Sequence, residues 1–254
     1  KSGQAKAAKR AARTAAEGVV LIASSSDNKK AYMVEINCET DFVARDENFR
    51  GFSENLVQRG LQTEAEGIDA LLASPEKEGA SKTLEEARAE LVAKIGENVQ
   101  LRRFAMEASS GTVGSYQHGD RIGVIVALDK DEPELAKDVA MHVAATNPQA
   151  ISAEGVSSEL IEKEKEIFVS QAKDSGKPDE IIEKMVLGRI SKFLKEICLV
   201  DQAFIKDPDQ TVGALLKASG ANVVSFVRFE VGEGIEKETV DFAEEVQAQL
   251  KGNE

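Results

Sequence analysis

Apolar residues along this chain change their spacing several times, and each change marks an element. Val19-Val20-Leu21-Ile22-Ala23 after Gly18 is one apolar run; a polar turn follows, then Ala31-Tyr32-Met33-Val34-Glu35-Ile36-Asn37 is strand-like again. The pair predicts a β-hairpin. The chain next passes through Thr40-Asp41-Phe42-Val43 into a stretch with Phe49, Phe52 and Leu56 at helical spacing, so 40–43 is a strand-to-helix junction. The same order recurs later. Gly111-Thr112-Val113-Gly114-Ser115-Tyr116, a turn near His118-Gly119-Asp120 and Arg121-Ile122-Gly123-Val124-Ile125-Val126-Ala127-Leu128 predict a second hairpin, with a helix over about 133–145 behind it. Each half closes on a similar strand, Asn98-Val99-Gln100-Leu101-Arg102-Arg103-Phe104 in one and Asn222-Val223-Val224-Ser225-Phe226-Val227-Arg228-Phe229 in the other.

This repetition predicts an α+β protein of two repeated subdomains, each an antiparallel sheet packed by helices. The second subdomain holds an insertion, because Asn98 and Asn222 stand further apart than Gly18 and Gly111. Residues 157–197 are charged and helix-prone, with apolar positions that include Leu160, Ile161, Ile167, Phe168, Ile181, Ile182, Met185, Val186, Phe193 and Ile197. Ser175-Gly176-Lys177-Pro178-Asp179 breaks the run, glycine ending one helix and proline opening the next. An antiparallel helical hairpin follows from that pattern, either projecting as a short coiled coil or covering the sheet. The expected division is a basic helix or linker over 1–17, a first core subdomain over 18–110, a second over 111–156 and 198–235, the hairpin over 157–197, and a C-terminal helix within 236–254. The acidic stretch 63–90 reads as partly helical, with a mobile loop at 74–81.

Composition narrows the class. The chain has 254 residues, 42% hydrophobic and 30% charged, as in ordinary globular proteins. No apolar run approaches the roughly 20 residues that span a bilayer, and the Lys/Ala-rich start lacks the apolar centre of a secretory signal. Two cysteines, Cys38 and Cys198, are too few for a disulfide framework or a four-ligand zinc site. Both are expected to be reduced and buried, in a cytoplasmic protein. A net charge of −13 argues against a general binder of phosphate backbones. The exception is the start, where Lys1, Lys6, Lys9, Arg10 and Arg13 are unopposed by acids. That segment reads as an alanine-rich helix with solvated lysines, or alternatively as a nucleic-acid contact.

Catalytic constellations are scarce. His118 and His142 are the only histidines, and no nucleophile elbow, HExxH pair or CxxC motif occurs. Gly79-Ala80-Ser81-Lys82-Thr83 lacks the glycine before its lysine and the feeding strand of a phosphate loop, and Gly232-Glu233-Gly234 sets an acid where bare amides would be needed. No nucleotide, cofactor or metal is therefore expected on the chain itself. At the junction, Thr40 or Asp41 is placed to cap the following helix. On residue types alone, Phe42 then packs inward with Phe49, Phe52 and Leu56. Gly96 is placed to end a helix, His118 to sit exposed in a hairpin turn, and His142 to be a half-buried structural histidine.

Thr40-Asp41-Phe42-Val43 also closely resembles the Thr-Asp-Phe-Val signature of the elongation factor Ts family, the nucleotide-exchange factors of the translation GTPase elongation factor Tu. Lys94-Ile95-Gly96-Glu97-Asn98, Ser115-Tyr116-Gln117-His118-Gly119, Met141-His142-Val143-Ala144-Ala145 and Arg228-Phe229-Glu230-Val231-Gly232-Glu233-Gly234 resemble further family signatures in family order, so the resemblance covers essentially the whole chain. It implies a non-enzymatic guanine-nucleotide exchange factor in protein synthesis. The partner would be elongation factor Tu, bound preferentially in its nucleotide-free form, with no membrane or nucleic acid involved. It implies that the tip at Thr40, Asp41, Phe42 and Val43 enters the GTPase between helices near the nucleotide site and helps dislodge the bound magnesium. Ile95 and His118 match further GTPase contacts. It favours a projecting coiled coil at 157–197. Family members also carry a small helical domain before the point where this sequence starts, so the chain is expected to be a fragment. Two alternatives stand beside exchange: a GTPase-binding scaffold or chaperone without productive exchange, and an RNA-associated protein using the basic N-terminal helix.

Overall fold

The computed structural model describes residues 2–236; the C-terminal helix expected near 240–250 lies outside them. In chain order the elements are α1 (Ser2–Arg10), β1 (Glu17–Ser24), β2 (Lys30–Cys38), α2 (Asp41–Ala44), α3 (Glu47–Thr63), α4 (Ile68–Ala73), α5 (Leu84–Ile95), β3 (Gln100–Ala108), β4 (Thr112–His118), β5 (Ile122–Leu128), α6 (Pro133–Thr146), α7 (Ser158–Lys173), α8 (Asp179–Ile197), β6 (Ala203–Phe204), β7 (Asp207–Thr211), α9 (Val212–Ala218) and β8 (Val223–Glu230). The strands form sheets of order β1-β2-β3, β4-β5-β8 and β6-β7. The chain is thus a mixture of helix and antiparallel sheet, the α+β class that the changing periodicity predicts. The described residues divide into two compact units, one of 2–21, 34–104 and 230–236, the other of 22–33 and 105–229.

In the first unit, α3, α4 and α5 pack on one another and α1 lies against α5. Val19, Val20, Val34, Ile36, Phe49, Leu56, Leu71, Leu84, Val92 and Val99 are buried. Helix α5 starts with a capping box: the Thr83 hydroxyl accepts from the Glu86 N–H, and the Glu86 carboxylate accepts from the Thr83 N–H. It ends at Gly96, whose φ of 94° is a left-handed cap open to glycine without strain. The chain from Ser74 to Leu84, which holds the loop expected at 74–81, folds back on itself. Leu84 N–H donates to the Ser74 carbonyl at 2.9 Å and Glu76 N–H to the Lys82 carbonyl at 2.9 Å, pairings between positions too far apart for a local propensity to reveal.

In the second unit, β4 and β5 pair in antiparallel register from Thr112 opposite Leu128 to His118 opposite Ile122. Helix α6 covers them, and Val124, Val126, Leu128, Leu135, Val139, Val143, Leu199, Phe204, Val212 and Leu216 form the core. Helices α7 and α8 pack on each other through a separate cluster of Ala172, Ile182 and Val186, flanked by Phe168, Val169 and Ile190. The Phe168 ring meets Phe193 edge-on at 6.5 Å, and Arg189 lies over Phe168 while donating to Gln171 at 2.9 Å. His142 is fully buried, which corrects the half-buried expectation. Its Nδ1 accepts from the Ile205 N–H at 3.2 Å, so Nε2 carries the proton and donates to Gln202 Oε1 at 2.9 Å. The β6–β7 hairpin that supplies Ile205 carries the sequence Asp207-Pro208-Asp209-Gln210, with no apolar alternation to betray a strand.

Candidate functional site

The junction at 40–43 belongs to the first unit. Strand β2 ends at Cys38, and Thr40, with extended φ and ψ of −122° and 156°, is the N-cap of α2. Its hydroxyl accepts from the Val43 N–H at 3.3 Å, satisfying a donor that the first turn leaves free. Helix α2 lasts four residues. Arg45 N–H closes on the Phe42 carbonyl and Asp46 N–H on the Val43 carbonyl, and Asp46 then caps α3 through the N–H groups of Asn48 and Phe49.

That second cap decides where Phe42 goes. In one unbroken helix, residues seven apart share a face, so Phe42 would follow Phe49 inward. The break at Arg45 and Asp46 resets the phase. Phe49 is fully buried, whereas Phe42 is 81% exposed, the most exposed large hydrophobic among the described residues. The inward arrangement is therefore overturned. Asp41 is exposed and paired with Arg45 at 3.2 Å, and Val43 is half-buried.

Two carboxylates fasten this tip to the segment after α5. Glu97 Oε2 accepts from the N–H of Glu39 at 3.1 Å and of Thr40 at 3.0 Å, while Oε1 accepts from the Thr40 hydroxyl at 2.7 Å. In return Glu39 Oε1 accepts from the Asn98 N–H at 2.7 Å, with the Arg13 guanidinium 3.6 Å away. The clasp is reciprocal: each segment lends an acid to the other's backbone. Beneath it, Cys38 is buried, and its thiol donates to the Thr40 carbonyl at 3.2 Å. Burial, with Glu97 and Glu17 nearby, pushes that thiol up to about 12, so it stays protonated and is no nucleophile. Residue types and spacing single out neither Glu39 nor Glu97 as a site residue. Glu97 lies in the signature-like run 94–98, but nothing in a linear chain shows which backbone a carboxylate will reach.

Of the other predicted site residues, Ile95 is half-buried at the last turn of α5, two positions before Glu97 and in the same unit as Phe42. His118 belongs to the second unit. It is exposed at the end of β4, its ring stacked on Tyr116 with centroids 6.5 Å apart. Among the described residues no group of three or more His, Cys, Asp and Glu side chains is arranged to hold a metal ion, and no helix is long and apolar enough to cross a membrane.

The family described as "Elongation factor TS" matches residues 39–233, which include the tip, the clasp and both closing strands. The chain belongs to the elongation factor Ts family. It is 57% identical to elongation factor Ts of Coxiella burnetii (strain Dugway 5J108-111) over 253 residues, covering 100% of this chain and 86% of the relative. It is 57% identical to that of Thioalkalivibrio sulfidiphilus over 254 residues, covering 99% and 86%. The corresponding figures for Alcanivorax borkumensis are 56% over 252 residues, 99% and 88%. Membership in the elongation factor Ts family makes the chain a translation elongation factor by descent, and it places the exposed Phe42 inside the matched region.

Proposed function

We propose that this chain is a guanine-nucleotide exchange factor for elongation factor Tu, acting by binding and without covalent change to a substrate. The observation that carries the proposal is Phe42, left 81% exposed on a helix whose start is pinned by Thr40. Exchange of this kind is linkage. A factor that binds the nucleotide-free GTPase more tightly than the GDP form must weaken GDP binding by the same coupling free energy. Burying one phenylalanine is worth about 2 kcal/mol, or roughly thirtyfold in affinity, if the pocket opens only as nucleotide leaves. The Asp41–Arg45 pair is exposed on both sides, and such pairs contribute at most about 1 kcal/mol. The hydrophobic wedge is therefore the larger effect. By distorting the magnesium and phosphate pocket it removes the ion that neutralises the bound phosphates. Asp41 adds negative charge beside that ion, and Ile95 and His118 supply further contacts. In the same reading, the sheets β1-β2-β3 and β4-β5-β8 are two copies of one plan, and α7–α8 is a coiled coil inserted in the second.

The test is release of a fluorescent GDP analogue from purified elongation factor Tu, chased by excess GDP. Substoichiometric wild-type chain should accelerate release strongly, and Phe42→Ala should reduce that acceleration about tenfold or more. Binding without acceleration would favour the scaffold alternative, and an unimpaired Phe42→Ala would sink the wedge.

A further inference from the structure

We propose that Glu97 is a positioning residue for the Phe42 tip, setting its pose before any partner arrives. The inference rests on the exchange reading for its consequence and on the geometry of the first unit for its mechanism. A four-residue helix is far too short to hold itself in water. Its first turn needs an outside anchor, and the Thr40 cap supplies only one hydrogen bond to it, to Val43. Glu97 anchors the cap and the residue before it. One carboxylate takes the Glu39 N–H, the Thr40 N–H and the Thr40 hydroxyl. Hydrogen bonds to an ionised acceptor are the strong ones. The Glu97–Thr40 hydroxyl bond also orients the cap itself: with its proton committed to Glu97, the hydroxyl turns a lone pair to the Val43 N–H.

Glu97 is held in its turn. It follows Gly96, whose left-handed conformation ends α5 and turns the chain, and it precedes Asn98, whose N–H is fixed by Glu39 and whose side-chain amide donates to the Arg13 carbonyl at 2.8 Å. The two acids therefore lock the β2–α2 and α5–β3 junctions against each other. A wedge that is already ordered loses less freedom on docking, so more of its burial free energy appears as coupling.

Two readouts test this. In the free chain, amide hydrogen exchange at Glu39, Thr40 and Val43 should quicken at least tenfold in Glu97→Ala while the melting temperature of the whole chain changes little. In the GDP-release assay, Glu97→Ala should lose about tenfold in acceleration. The Phe42→Ala/Glu97→Ala double variant should be no worse than Phe42→Ala alone, because Glu97 acts through Phe42. Glu97→Gln keeps the length and one acceptor oxygen but loses the charge and the second acceptor, so it should fall between wild type and Glu97→Ala. Glu97→Asp keeps the charge but falls a methylene short, so it should behave like the alanine variant; it carries the test if Glu97→Ala does not fold. Unchanged amide protection, or a Glu97 penalty that simply adds to that of Phe42→Ala, overturns the proposal. Should Phe42→Ala prove inert, the exchange reading fails by itself, and the hydrogen-exchange arm alone decides whether Glu97 holds the tip.

Discussion

Phe42 and Glu35 break the usual sorting of residues in opposite directions: an aromatic left in solvent and an acid with no exposure at all. Glu35 lies in the apolar run of β2, where its neighbours point to a buried strand, and it is tolerated because its charge is fully answered. Arg102 and Arg103 approach it from β3, Gly232 N–H donates to it at 2.8 Å, and the Asn37 amide donates at 3.0 Å. Burial raises the pKa of such a carboxyl, but the Gly232 and Asn37 hydrogen bonds and the Arg103 guanidinium outweigh it, leaving the group below the ordinary value. Its stabilisation is complete above the unfolded value of about 4.3 and is lost as pH falls through the depressed folded one. Removing one partner of a buried ion pair costs about 3 kcal/mol. Glu35→Gln should therefore lower the melting temperature at neutral pH and flatten the acid limb of its pH dependence. An unchanged acid limb would show that other carboxylates govern it. The sequence shows only an acid inside an apolar run; that its partners come from β3 and residues 230–233 is invisible there, because they lie far along the chain.

At the level of elements, the tip depends on helix breaks and the second unit on a close approach. Periodicity found the strand-to-helix switch at 40–43 and both hairpins, but it joined α2 and α3 into one helix, because caps are decided by single side chains that leave no periodic trace. In the second unit, β4 and α6 meet at Gly114, where an added Cβ would lie 2.5 Å from both the carbonyl carbon and the Cβ of Ala136. Backbone stands on both sides of that contact, so no flexible side chain can yield. Gly114→Ala should cost roughly 1–3 kcal/mol, read as a lower denaturation midpoint with an unchanged slope. A neutral result would mean that α6 can lift from the sheet without loss. His142 marks the far end of the same helix. Its lowered pKa, set by burial against the opposing Gln202 hydrogen bond, keeps it neutral in the core.

On the scale of the whole chain, charge separates the remaining alternatives. The net charge of −13 opposes nucleic acid, and the N-terminal segment spends basic groups on its own unit: Arg10 donates to the Val92 carbonyl at 2.8 Å, and Arg13 faces Glu39. Titration with single-stranded RNA near 0.15 M salt should give nothing tighter than the roughly micromolar non-specific range, and Arg10→Ala should lower the melting temperature instead. Tighter, salt-sensitive binding lost in Lys9→Ala and Arg13→Ala would revive the RNA alternative. By itself the sequence determined the α+β class, the two long hairpins with helices behind them, the break between α7 and α8, and the family, because these follow from periodicity, turn chemistry and runs of identical residues, all local properties of a chain. Only the tertiary structure decided that Phe42 faces solvent, that Glu97 and Glu39 clasp two junctions, that Glu35 is neutralised in the core and that His142 is wholly buried. Each of those depends on which distant segments meet, and proximity in space is not written in the spacing of residues along the chain.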